Sequence, residues 1–131
     1  VAEVLVPADD EVAVVAELNA RMDAPAGTRI PLPRPPEFVR VVSAGGVERD
    51  LVSDTFTLAV EGFAATETAA QRLCAFAIAY LQSAGRSGIL GGITCYGVGV
   101  TALPANLPMP SVPDRYRFTA TITVSLRRAS V

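Results

Sequence analysis

From Arg115 to Arg128 the chain reads RYRFTATITVSLRR, an alternation so regular that a half-buried β-strand is the element it predicts. Side chains alternate across a strand with period two, so Tyr116, Phe118, Ala120, Ile122, Val124 and Leu126 share one face. Arg115, Arg117, Thr119, Thr121, Thr123, Ser125 and Arg127 share the other. The apolar face demands a core. The polar face is open to water, a nucleic acid, a substrate or another copy of the chain.

A chain of 131 residues with half of them apolar and 18% charged is expected to form one globular domain, residues 1–131, with a substantial core. All eleven basic residues are arginine; lysine and histidine are absent, a bias that fits a GC-rich genome. The chemical consequence is firm: no side chain titrates unperturbed near neutrality, and none forms a Schiff base. The net charge of −2 argues against non-specific attraction of the chain as a whole to nucleic acid. Cys74 and Cys95 are too few and too far apart for a zinc ribbon or a redox pair, and are expected to be buried small apolar residues. The longest uncharged run, Ser87 to Pro113, is broken by Gly and Pro, so no membrane span or membrane partner is expected.

The first helix is predicted from Pro7 to Met22, with Asp9, Asp10 and Glu11 at the positive end of its dipole. Ala8, Val12, Val15, Ala16, Leu18 and Met22 form its inward face, with Asn19 intruding. A proline-rich extended segment leads into a strand from Phe38 to Ser43. Gly45 and Gly46 then predict the turn of a hairpin whose return strand spans about Val52 to Phe63. Thr66 caps a second helix ending at Gly85, with Phe76, Leu73, Tyr80, Ala77, Leu81 and Ile78 in its apolar arc. GRSGILGG is a flexible connection, ITCYGVGVT a strand, and ALPANLPMPSVPD a projecting loop before the last strand. This order predicts an α+β fold: a mainly antiparallel four-stranded sheet with two helices packed on one face.

No residue constellation points to chemistry. The cysteines lack a histidine base, GVG lies inside a strand, and GRSGILGG follows a helix, so neither glycine segment is a phosphate loop. Asp50, Asp54 and Glu61 read as turn and exposed-face residues rather than as a catalytic set. A nucleic-acid module would combine aromatics with basic residues on the exposed sheet face, whereas Tyr116 and Phe118 alternate onto the core side. The chain is therefore expected not to be an enzyme and to need no metal or cofactor.

The succession PRPPEFVRVVSAGG, DTFTLAVEGFAATETAAQRLCAFAIAYL and PDRYRFTATITVSL resembles the tail-terminator proteins, also called tail-completion or minor tail proteins, of long non-contractile-tailed actinobacterial phages. The resemblance covers about Pro33 to Leu126 and rests on element order, the Gly-Gly hairpin, and RYRFT opening the last strand. It implies a structural virion protein, assembled in the host bacterial cytoplasm, that forms a homo-hexameric ring at the head-proximal end of the tail. Such a ring stops polymerisation of the tail tube protein and docks the head-tail connector, while DNA passes through its lumen without specific binding. The alternatives are another connector or stopper ring, or a non-viral binding module. Contacts with neighbours are expected at Arg34, at the hairpin tip Ser43 to Asp50 (Gly45, Gly46, Glu48, Asp50) and in the loop Leu103 to Asp114 (Asn106, Met109, Asp114). Arg115, Arg117 and Arg127 are expected to pair across a subunit boundary with acids such as Asp50 or Glu61.

Overall fold

In a computed structural model, which describes residues 2–131, the chain runs β1 (Leu5–Val6), α1 (Asp10–Arg21), β2 (Ala26–Gly27), β3 (Phe38–Asp50), β4 (Ser53–Ala64), α2 (Glu67–Ser87), β5 (Ile89–Leu90), β6 (Ile93–Asn106), β7 (Tyr116–Arg127) and β8 (Ala129–Ser130). The α+β class holds. The four-stranded sheet does not: the sheet is six-stranded and mixed, in the order β2-β3-β4-β7-β6-β5, and β1 pairs with β8 in a separate two-stranded sheet. The difference comes from β2 and β5, two residues each, which flank the four long antiparallel strands. Elements that short leave no periodicity to read.

β7 sits inside the sheet, antiparallel to β4 on one side and to β6 on the other, so β4 and β6 run parallel and α2 crosses over β7 to join them. Ala120, Ile122, Val124 and Leu126 of β7 are fully buried beneath the helices, as the alternation requires. Tyr116 departs from it: at the strand's start it lies beyond the helical cover and is 42% exposed. Both helices share this core with Val41, Leu58 and Val60.

The helices end where their caps dictate. Asp9 caps α1 by accepting from Val12 N, so Pro7 and Ala8 stay outside the helix. Of the expected inward face of α1, Leu18 is buried and Ala8, Val15 and Met22 pack partly buried against the core, but Val12 is 62% exposed and Ala13 and Val14 are buried instead. Burial of Asp10 on that same face explains the rotation, because its carboxylate accepts from the Ser43 hydroxyl at 2.6 Å. Asn19 works at the other end, accepting from Ala26 N and donating to Ala26 O to hold β2. α2 is capped by Thr66, as expected, and runs past Gly85 to a left-handed Gly88 (φ 88°). Phe76, placed in its apolar arc, is 48% exposed, because Leu73, Cys74, Ala77 and Ile78 already fill the contact with the sheet.

Two glycines on the core side let α2 seat closely. A Cβ on Gly62 of β4 would come within 2.8 Å of Cys74 N and 2.9 Å of Ala70 O, and one on Gly85 within 2.8 Å of Val98 N. Gly85 is thus a packing residue and not a helix stop. Gly45 and Gly46 likewise do not form the hairpin turn. They make a bulge within β3, with Gly45 at φ 86°, and the chain reverses at Leu51 and Val52. The expected flexible connection is instead the end of α2 and β5, and β6 continues to Asn106, which leaves 107–115 as the loop.

Gly62→Ala is expected to lower the unfolding free energy by about 1–3 kcal/mol, because backbone atoms of α2 must move. Gly27→Ala, where a Cβ meets nothing within 4 Å, is expected to change it by less than about 0.5 kcal/mol; urea titration compares the two. Cys74 and Cys95 are free and buried, and desolvation pushes the Cys74 thiol up to about 11. At about pH 8 the native protein should therefore resist alkylation at Cys74, and label there only after unfolding, read by mass spectrometry.

Candidate interaction surfaces

The expected contact residues divide between two ends of the sheet. At one end, the loop 107–115 folds against the proline-rich segment. Arg34 donates to Asp114 Oδ1 at 3.0 Å and to Ser111 O at 3.4 Å, while Arg115 donates to the carbonyls of Arg34 and Pro35 and to Asp114. Beneath this clasp Phe38 and Phe63 stack with their centroids 4.6 Å apart, and Val112 seals them with Ile30 and Met109 at the margin. Arg34, Met109, Asp114 and Arg115 are thus brought together, but Met109 faces a small core and Arg115 spends its guanidinium within the chain. Asn106 donates to Glu67 Oε2 at 3.2 Å, tying the end of β6 to the start of α2. What this end shows outward is Leu32, Leu107 and Tyr116, each at least 42% exposed.

Just inside this end lies an ion-pair cluster on the sheet face that no helix covers. Glu61, 4% exposed, accepts from Arg40 Nε at 2.5 Å and from an Arg117 terminal nitrogen at 2.8 Å. Arg117 Nε also donates to Leu107 O at 2.6 Å. Arg117 and Glu61 therefore pair with each other inside one chain, which corrects the expectation that they meet across a subunit boundary. Register explains it: Glu61 opposes Arg40 on β3 and Thr119 on β7, and Arg117 lies two residues from Thr119 on the same face.

At the opposite end, Asp50 closes the β3–β4 turn by accepting from Val52 N and the Ser53 hydroxyl. These bonds, the one from Ser53 first, hold its carboxyl below the usual carboxylate range. Leu51 at the tip is 81% exposed. Glu48 accepts from Arg128 at 3.2 Å, and Arg128 also makes a forked pair with Asp54 at 2.6 and 2.9 Å. Asp54 is only 6% exposed. This group lines an open cleft of about 280 Å³ with Asp10, Ser43 and Gly46. The two buried carboxylates of the cleft are already engaged, Asp10 by Ser43 and Asp54 by Arg128, and neither stands free as a base.

Arg127 stands apart from these pairs. Among the described residues no carboxylate lies within salt-bridge distance of it; it donates instead to Tyr96 Oη at 3.2 Å. The Arg49 guanidinium lies 4.6 Å from the centre of the Tyr96 ring and donates to Ser53 Oγ at 3.1 Å. Arg49, Ser53, Tyr96 and Arg127 join all four long strands. Sequence reading passed over Arg40, Arg49, Tyr96 and Arg128. Arg40 was findable from strand parity alone, and Arg49 and Tyr96 once the bulges between Ser43 and Gly46 and between Cys95 and Gly97 were placed, since a bulge changes which face the side chains beyond it take.

The sheet also has two partly open sides. Glu11 covers the β3 edge at Ser43 N, but from Gly45 to Asp50 no strand pairs outside β3 among the described residues. Beyond Thr94, none pairs outside β6.

Removing Arg128 strands a buried carboxylate, whereas removing Arg127 strands none. Arg128→Ala should therefore lower the urea midpoint clearly, and Arg127→Ala should leave it near that of the parent. Among known proteins, no family model matches the chain and no curated protein is similar to it in sequence.

Proposed function

We propose that this chain is a structural virion protein, a phage tail terminator, whose copies form a ring at the head-proximal end of the tail tube. The observation that carries the reading is that each end of the four long strands exposes apolar groups. Leu32, Leu107 and Tyr116 crown one end and Leu51 the other. A ring placed between a tube and a connector needs two end faces of different composition, and these ends differ: one is a proline-bearing clasp, the other a hairpin turn among charged residues.

The sides of the sheet suit lateral contact. β3 and β6 bound the four long antiparallel strands, and an even number of strands makes these two edges run in opposite directions. Copies related by rotation about an axis along the strands would then set β6 of one beside β3 of the next in antiparallel sense, a heterologous contact that closes into a ring. Bulges in both edges and Pro104 in β6 discourage indiscriminate strand addition, which keeps such contact short. A hexamer is the ring the family resemblance implies.

The test combines the purified protein with tubes grown from the partner tube protein, followed by electron microscopy. A terminator binds one tube end and stops elongation there. Binding only to the head's connector, with tube growth unaffected, assigns the chain to a stopper ring. A protein that stays monomeric and binds neither partner removes the virion reading.

A further inference from the structure

Phe38, Phe63 and Val112 form a core of their own, with Ile30 and Met109 at its margin, and share no residue with the main core beneath the helices. Its floor and its cover are built differently. Phe38 and Phe63 are opposite residues of the β3–β4 ladder, so the sheet fixes the floor. The cover is the proline-rich segment 28–37 and the loop 107–115, which together hold seven of the chain's ten prolines. Proline has no N–H to give, and among the described residues no backbone hydrogen bond joins the two segments.

Side chains alone close this clasp. Arg34 reaches Asp114 and Ser111 O, and Arg115 reaches the carbonyls of Arg34 and Pro35. Asp114 serves both arginines, at 3.0 and 3.1 Å, but its carboxylate is half exposed, a setting in which an ion pair adds little stability. Arg34 Nε is buried without an acceptor, a cost of closure that opening to water removes. The loop is braced within itself, Val112 N donating to Met109 O at 2.9 Å, and is rooted at β7 by Leu107 N on Arg117 O at 3.1 Å. The other segment is rooted where β2 pairs with β3.

We propose that the clasp is a latch: its two segments come apart while the sheet and helices stay folded, and this uncovers the Phe38–Phe63 stack. Opening forfeits the small core and the arginine bonds only, so it needs less free energy than global unfolding. Closed, this end shows Leu32, Leu107 and Tyr116; open, it adds two aromatic rings already held in place by the strands. The end thereby switches between a smaller apolar surface and a larger one. The inference rests on the two separate cores and the bonds between the segments, and does not require the ring.

Hydrogen exchange of the full chain, followed amide by amide by NMR over a series of low urea concentrations, tests the latch. Corrected for intrinsic rates, the Val112 amide should exchange at least about a hundredfold faster than the slowest amides of β7, with almost no dependence on urea. Arg115→Gln, which removes the bonds to Arg34 and Pro35, should speed Val112 about tenfold, and Asp114→Asn about threefold. Gly62→Ala, which loosens the seating of α2, should speed the slow β7 amides and leave Val112 as in the parent. A thiol introduced by Val112→Cys, sealed against Phe38 and Phe63, should be alkylated without urea at least about tenfold faster than Cys74. The proposal is overturned by a Val112 amide that exchanges together with β7 or is sped as much as β7 by Gly62→Ala, since the clasp would then open only with the whole fold. It is overturned equally if both latch variants leave Val112 unchanged, since the loop would then move alone, or if the introduced thiol labels no faster than Cys74. Circular dichroism checks the folding of each variant, and Asp114→Asn, at a half-exposed carboxylate, carries the test if Arg115→Gln does not fold.

Discussion

The seating of α2 on the sheet governs the rest of the molecule. Gly62 removes the one side chain that would hold the helix off β4, and Gly85 does the same where the helix passes Val98 of β6. With α2 this close, Leu73, Cys74, Ala77, Ile78 and Leu81 reach the buried row of β7, and α1 adds Ala13, Val14 and Leu18 at the flank. Because one side of the sheet takes both helices, the other must be polar or be covered by loops, and it is both. The 107–115 loop and the proline-rich segment close over Phe38 and Phe63 at one end, and threonines and arginines occupy the rest.

That division sets where charge can sit. A carboxylate buried in a sheet face costs stability unless cations reach both of its oxygens, and Glu61 has Arg40 on one and Arg117 on the other. Asp54 is met at both oxygens by Arg128 alone. Arginine suits both arrangements because its planar donors present two bonds at once, which gives structural purpose to an all-arginine basic set whatever its genomic origin. On the helix-free sheet face the arginines outside the Glu61 pair are Arg49 and Arg127, and the strand register puts them together around Tyr96.

How much of this was legible in the sequence follows from the length of each signal. The alternation of β7 was readable, and the structure buries Ala120, Ile122, Val124 and Leu126 as it requires, because many consecutive residues obey one period. The Thr66 cap was readable for a similar reason, since a single hydroxyl before an apolar run has one clear use. Gly45 and Gly46 misled because glycine permits both a turn and a bulge, and the choice depended on Asp50, whose side chain stabilises a turn five residues later. The face of α1 was legible at Leu18 but not at Val12, because hydropathy ranks Val12 above Asp10, while Ser43, distant in sequence, makes burial of Asp10 favourable. The contact residues were legible as loop and tip segments. Their partners were not, because every pairing of Arg34, Arg115 and Arg117 with an acid, apart from the adjacent Asp114 and Arg115, joins segments far apart in the chain.

The same pairings decide what each surface has left to bind with. An arginine already held by a carboxylate at hydrogen-bond distance gives a partner little, since a new contact must first replace an existing one. Arg34, Arg115 and Arg117 are in that position, so at the clasp end the groups left free for contact are the exposed Leu32, Leu107 and Tyr116, which offer apolar surface and shape. Arg49 and Arg127 are not, since the one carboxylate near them, Asp50, is 3.6 Å from Arg49 and half exposed. The hairpin end and the adjoining sheet face can therefore interact through charge, over longer range and with a strong dependence on salt. One end offers apolar surface for close-fitting contact and the other charge for electrostatic contact, the polarity on which the proposed placement between two unlike partners rests.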